Sequence, residues 1–461
     1  MSDEHDRPRR PSAVAVALSA GLVAELTLHF LEPRLAITWS HAHLARRAAL
    51  PWIGAALVLV LPAASAWAWR RPGARRPLGA LSWRAAAAAV ALGAAVLALG
   101  RLRPAPLISI DPWFLVKSVA EGTGENGRWY LLLWSYQHLG AAVQPWLDAP
   151  HLIRTVSGLA ASVALVALAG AARRLGRTRG EAGAIALVAW TAFGVAQLVP
   201  GYLDVYPFAL AVTALYLWTA LGALAGDVHP GWPLVIAFLA PFFYIGLVLL
   251  VPSTVVIALA AARRPAGGAR LALGLLAAVA AAGAATLPGF GAPFAWAAFV
   301  ARAHADSGYQ LGFSPTSSLL PLAHMLSGAH AREVVHTLLL VDGVGVVLLV
   351  VCGGWLVLHP RTWSPQAALL ALVVLPYLAY VVAMDPLFGA FADWDLFSYG
   401  AAATSLLGAY AFVVWGREHE RAFAWLLGLA IASAGVHLLA RWNALDVDLP
   451  RHLLESPYHA Q

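Results

Sequence analysis

Apolar runs long enough to cross a bilayer follow one another through most of this chain. A membrane helix needs roughly 20 such residues. Runs of that kind lie near residues 12–31, 51–69, 84–100, 152–172, 181–199, 202–224, 269–288, 334–358, 365–384, 398–415 and 422–440. In hydrocarbon every backbone amide must find its partner inside the protein, and for such runs the solution is the helix. Hydrophobic residues make up 61% of the chain and charged residues 11%, against roughly 25% charged in soluble domains. The expected fold is therefore all-α, a polytopic transmembrane bundle of about 11–13 spans. Residues 231–262 are too long for one span, and Pro241, Gly246 and Pro252 interrupt them. They are expected either as two short passes, 231–246 and 247–262, or as a re-entrant hairpin.

Arginine sets the direction. Arg7, Arg9 and Arg10 precede the first run, and Arg70, Arg71, Arg75, Arg76 and Arg84 fill the next loop of the same parity. Arg173, Arg174, Arg177 and Arg179, then Arg263, Arg264 and Arg270, continue the series. Cytoplasmic loops carry the basic excess, so the N-terminus is expected in the cytoplasm and residues 441–461 outside. The net charge of +7 has this topological cause and does not call for nucleic acid. Acidic residues gather on the opposite side and contribute little to topology, so any chemistry is expected on the extracytoplasmic face. Lys117 is the single lysine, and the arginine and alanine richness is that of a GC-rich bacterial genome, hence a bacterial inner membrane. The polar start SDEHDRPRR and the first apolar run show no cleavable signal peptide. The lone Cys352 excludes an intramolecular disulfide. No phosphate-binding loop is present, so a donor substrate has to reside in the membrane already.

This divides the chain into a two-span segment (1–83), a transmembrane core (84–440) with outer loops 101–150, 289–333 and 385–397, and the tail 441–461. In the first outer loop, Asp111-Pro112 has the form of a helix start, and GTGENG after Glu121 ends that helix. The helix is too short to span and carries Trp113 and Phe114 as an interfacial helix does. The run from Trp129 to Leu147 is expected to lie on or dip into the outer surface, because the next span must start outside.

Asp111, a short amphipathic helix, a glycine break and the aromatic run WYLLLWSYQHL resemble the first large loop of GT-C glycosyltransferases. GYLDVYPFALAVTALYLW, from Gly201 to Trp218, resembles a helix start common in that superfamily. Its members are polytopic enzymes that take sugars from polyprenyl-phosphate carriers. The resemblance implies a GT-C-like fold, membrane lipid and a lipid-linked sugar donor as partners, and Asp111 as the catalytic or metal-linked carboxylate. Residue chemistry adds the rest of the candidate site. Asp204 in PGYLDVYP has Tyr202 and Tyr206 beside it as sugar-stacking faces. Lys117, Arg128 and Arg302 are cations for a leaving phosphate, and His304 lies in the long loop 289–333.

MDPLFGAFADWDLF, from Met384 to Phe397, concentrates further carboxylates. A strand-like Asp393-Trp394-Asp395 puts both side chains on one side of the backbone, suited to acceptor hydroxyls or to a divalent cation, magnesium or manganese. His324, His330 and His336 recur every six residues, neither a helix face nor a zinc-motif interval, and no zinc is expected there. Glu25 and His29, four apart near one helix end, are expected to interact locally. The span centres look nearly free of charge, which argues against the alternative of a transporter or flippase for a lipid-linked or amphipathic solute.

Overall fold

The computed structural model describes residues 12–28, 50–77, 110–122, 130–143, 146–198, 204–285, 322–384 and 394–447, with Ala91, Gly93, Ala95 and Tyr202 besides. The described residues are helical throughout, apart from turns and one isolated bridge. The helices are α1 (Ala13–Leu28), α2 (Leu50–Trp69), α3 (Ile110–Glu121), α4 (Tyr130–Val143), α5 (Ala149–Leu175), α6 (Arg179–Thr191) and α7 (Phe193–Leu198). Then come α8 (Tyr206–Ala225), α9 (Gly231–Phe243), a 3-10 segment Ile245–Ser253, α10 (Thr254–Ala262) and α11 (Gly267–Ala284). After α12 (Leu322–Met325), α13 (Gly328–Leu348) runs through a π turn, Leu349–Gly353, into α14 (Gly354–Leu358). The chain closes with α15 (Pro365–Ala383), α16 (Trp394–Ser398), α17 (Ala401–Gly416) and α18 (Glu420–Val447). Eight of these helical stretches are long and apolar enough to cross a membrane, and three shorter apolar helices accompany them. The protein is a multi-pass helical bundle. Large apolar side chains such as Leu59, Trp67, Leu276, Val279 and Leu375 stay exposed on its flanks, as lipid contact allows and water does not.

Contacts between loops define two ends. At one end Pro77 pairs with Thr178, and Arg75 lies 2.5 Å from Glu420. Arg417 donates from Nε and Nη2 to the two oxygens of Glu181 at 3.1 and 2.9 Å, a fork-on-fork pair. Glu181 also accepts from the Arg177 amide at 2.7 Å, and Thr178 caps α6 by accepting from the Glu181 amide. Arg174 reaches Asp227, and Arg264 donates to the last carbonyls of α8, Ala223 and Leu224. Among the described residues, the arginine loops that sequence parity puts on one side do meet at one end of the bundle. α1 and α18 start there and run away from it: Gly21 abuts Val347 while Glu25 reaches Gly343, which makes α1 antiparallel to α13.

Residues 231–262 both leave from and return to this arginine end. They form two short passes that turn at Tyr244, whose extended backbone (φ −155°, ψ 121°) ends α9. Three expected boundaries move. α13 begins at Gly328 under a Ser327 cap, earlier than residue 334. α18 continues to Val447, through the boundary expected at 440. The expected span 181–199 breaks at Ala192 into α6 and α7, which lets Gly194 sit against the Ser398 backbone. The span expected at 84–100 lies outside the described residues except Ala91, Gly93 and Ala95. In the first outer loop α3 begins at Ile110, and Gly122 ends it with φ 64°, a backbone that glycine adopts freely. α4 is short, with Leu131, Leu132, Leu133 and Tyr136 buried; it dips into the bundle and does not span.

The core runs through the whole bundle, and α17 at its centre is buried at every residue. Cys352 is buried in the π turn packed against it. α9 and α11 approach so closely that a Cβ on Gly274 would lie 2.6 Å from the Gly231 Cα. In lipid such backbone proximity is what holds helices together. Gly274→Ala should therefore lower stability by about 1–3 kcal/mol. Gly268→Ala, on the same helix with open space around it, should be neutral or stabilising by up to about 1 kcal/mol. Thermal melts of both variants in detergent check the contrast; equal shifts would mean the α9–α11 contact is looser than described.

Candidate functional site

At the end opposite the arginines, Asp204 precedes α8 and is only 1% exposed. The cap position belongs to Val205, whose side chain makes no cap bond, and proline follows at the helix start. Asp204 accepts from the Val205 amide at 2.6 Å. Ser157 of α5 donates to the Asp204 main-chain carbonyl at 3.4 Å. Tyr136 of α4 completes this corner. Burial pushes its hydroxyl well above the ordinary tyrosine value, the Ser157 hydroxyl pulls the other way, and the Asp204 charge adds to the rise. Tyr136 is thus a neutral hydroxyl over the whole working range of pH.

From this corner a chain of tyrosine rings crosses the bundle. Tyr206 meets Tyr244 edge-on at 5.7 Å, Tyr244 meets Tyr399 at 5.6 Å, and Tyr399 meets Tyr377 at 6.3 Å. Hydroxyls fix the far end: Tyr377 donates to the Phe397 carbonyl at 2.6 Å and Tyr399 to the Gly246 carbonyl at 3.3 Å. The first carbonyl belongs to the short helix α16 and the second to the 3-10 segment after α9. The ladder thereby joins Asp204-Val205-Tyr206 to the helix that contains Asp395, and α16 packs on α7, α8 and α13.

The remaining expected residues divide cleanly. Tyr202 is half-buried against the core, Tyr206 is buried, and Lys117 is exposed on α3. Asp111 lies in the first turn of α3, which packs on α4 and α5 through Leu115 and Val119; its side chain lies outside the described residues. The side chain of Asp395 lies outside them too, as do Asp393, Arg128, Arg302 and His304 altogether. Trp394 and Asp395 have helical backbone, so the period-two alternation expected of Asp393-Trp394-Asp395 does not describe them. The divalent cation expected on that pair stays an expectation of the sequence.

No protein-family model, curated protein or solved structure matches this chain at a significant level. The chemistry has to be argued from its own residues.

A second polar group lies deeper, where the spans looked free of charge. Glu25 of α1, only 4% exposed, accepts from Ser433 and faces His437 of α18, with Oε1 2.9 Å from Nδ1. His437 Nε2 lies 3.0 Å from the Leu340 carbonyl, which only an N–H can approach so closely. That fixes Nδ1 as the nitrogen toward Glu25, so one further proton must lie between them. Beside them Asp342 accepts from Thr404 at 2.5 Å and from the Gly345 amide at 3.1 Å. Its backbone (φ −158°, ψ 56°) interrupts α13. Gly343 leaves room for the neighbouring carboxyl, since a Cβ there would lie 2.8 Å from Glu25 Oε1. The expectation of an uncharged interior is corrected here, and Glu25 pairs across the bundle with His437. The signal was present as lone ionisable residues in apolar runs; what sequence spacing lacked was the fold that brings residues 25, 342 and 437 together.

Removing one partner of a buried pair strands the other. Glu25→Ala and His437→Ala should each cost about 3–5 kcal/mol, and the double variant should cost distinctly less than their sum. Thermal melts of the full cycle read the coupling; strict additivity would mean the two side chains do not share a proton.

Proposed function

We propose that this chain is a GT-C-like membrane glycosyltransferase that moves a sugar from a lipid-linked donor, a polyprenyl phosphate, to an acceptor at the end opposite the arginine loops. By the positive-inside rule the arginine end is cytoplasmic and the Asp204 end extracytoplasmic, in a bacterial inner membrane. The observation that supports the reading best is the tyrosine ladder, which joins the buried Asp204 corner to the segment of Asp395. A sugar site needs carboxylates to hold hydroxyls and flat aromatic faces to stack on the ring. Glycosyl transfer passes through an oxocarbenium-like state, so one carboxylate must take or orient the acceptor proton. By its resemblance to the family loop that carboxylate is Asp111, on the helix packed beside α4 and α5. Asp204, Tyr202 and Tyr206 hold the sugar, and Lys117 stands as a cation for the phosphate.

Purified protein in liposomes with polyprenyl-phosphate sugars is the test. Asp111→Asn should cut transfer by about 10²–10⁴-fold, the range for a general base. Asp204→Asn should cut it by about 10–100-fold, as the loss of a hydrogen bond to a charged group does. Full activity of both variants, or no transfer by the wild type with any polyprenyl-phosphate sugar, would end this reading.

One observation favours the alternative, a transporter or flippase. Glu25, His437 and Asp342 meet inside the spans, and α13 is interrupted at Asp342. Broken helices and buried ionisable groups near mid-span are the apparatus of coupled transport. Glu25→Gln separates the two readings. It should abolish solute uptake if the cluster couples transport, and leave sugar transfer intact if the protein is the enzyme.

A further inference from the structure

His324, His330 and Glu333 bring their ligand atoms within 4.8 Å of one another at the junction of α12 and α13. The six-residue histidine interval carries no metal signal in the sequence because no single helix connects the two rings. α12 ends at Met325, the chain turns through Leu326, and Ser327 caps α13 by accepting from the His330 amide. The turn brings the His324 ring to 5.2 Å from the His330 ring. His330 and Glu333 then share a helix face, three residues apart.

The tautomer of His330 decides what this group can hold. Its Nε2 lies 2.7 Å from the Val382 carbonyl. Val382 stands in the last turn of α15, where carbonyls lack a helical partner. The ring N–H therefore sits on Nε2, and Nδ1 presents a lone pair. That lone pair faces Glu333 Oε2 at 3.4 Å. Two acceptors do not sit together without a positive charge between or on them. That separation is about the edge of a tetrahedron whose metal bonds are roughly 2.0–2.2 Å long, and all the ligand atoms of the group lie within 4.8 Å of one another. A carbonyl accepting from the other ring nitrogen is also the usual support of a metal-bound histidine.

We propose that His324, His330 and Glu333 bind one zinc-class divalent ion. Two imidazoles and one carboxylate suit zinc better than magnesium or manganese, which prefer oxygen donors. Three protein ligands leave a fourth position open, and His324 and Glu333 are exposed, so that position faces outward. Through Val382 the ion fastens the start of α13 to the end of α15. The chain leaves there, after Met384, toward the segment of Asp393 and Asp395. The inference stands on these residues alone and does not depend on the sugar-transfer reading.

The test uses the full-length chain, free of any histidine tag, purified in detergent and stripped with a chelator. Zinc titration by calorimetry should give one site per chain. Cobalt in its place should show the intense visible bands of a tetrahedral His/carboxylate centre. His324→Ala and Glu333→Gln alter exposed side chains, so both proteins should fold. Each should weaken zinc binding at least about tenfold, the lower end of what even outer-shell partners contribute. His336→Ala, outside the group, should bind as the wild type does. No zinc bound at one per chain, or binding that both His324→Ala and Glu333→Gln leave unchanged, would overturn the site.

Discussion

A helix with neighbours on every side has no outward face on which to put bulk, and α17 is in that position. Where another backbone crosses it, only small residues fit. Gly408 meets α13 so closely that a Cβ would lie 2.7 Å from the Gly345 carbonyl. Ala401, Ala402 and Ala403 occupy its first turn, and bulk returns near the arginine end, where Phe412 and Trp415 pack against Phe423 and His419. Lipid supplies no hydrophobic push between helices, so van der Waals proximity of this kind carries the assembly. α6, α8, α13, α15 and α18 take their places around this one element. Its N-terminal approach, Trp394 to Gly400, is correspondingly held: Tyr377 fixes the Phe397 carbonyl, and Gly194 lies against Ser398.

The arginine end is built on a different principle. There the helix termini are stitched by charge, with Arg417 on Glu181, Arg75 on Glu420 and Arg174 on Asp227. Exposed pairs of this type contribute little each. The Arg417–Glu181 pair differs, since it is mostly buried, bidentate and tied to the cap of α6. The arginines from which sequence parity argues an orientation also close the bundle at that end.

Much of this was legible in the sequence. Apolar length located most of the spans, parity gathered the arginine loops, and Pro241, Gly246 and Pro252 announced the two short passes. Gly122 ended α3 where GTGENG said it would. The failures share one cause, that spacing along a chain says nothing about contacts across a bundle. The partner that Glu25 finds across the bundle, His437, stands 412 positions away, and His29, its expected helical neighbour, lies outside the described residues. Asp342 went unremarked in an apolar run, and the hydroxyl that meets it, Thr404, comes from another helix. The break at Ala192 follows from the seat that α16 needs, and nothing around Ala192 in the sequence marks it. In the candidate site, Asp204, Tyr202 and Tyr206 were singled out as candidates from local chemistry. Tyr244, Tyr377 and Tyr399 were not, since each reads as an ordinary interfacial aromatic until the ladder is assembled.

Two histidines solve the same problem in the same way. His437 and His330 each anchor one ring nitrogen on a main-chain carbonyl, of Leu340 and Val382, and turn the other toward a carboxylate. Where both partners are buried the pair closes to 2.9 Å; where the carboxylate is exposed it stands 3.4 Å apart. In both cases the carbonyl determines which nitrogen faces the carboxylate.

The π turn that buries Cys352 has a practical side. As the chain's one thiol, sealed among apolar neighbours, it is out of reach of water-borne oxidants and alkylating reagents. A cysteine introduced at any single exposed position would be the sole thiol in reach of solution, so thiol-specific labels can interrogate each end of the bundle separately without first engineering the background away.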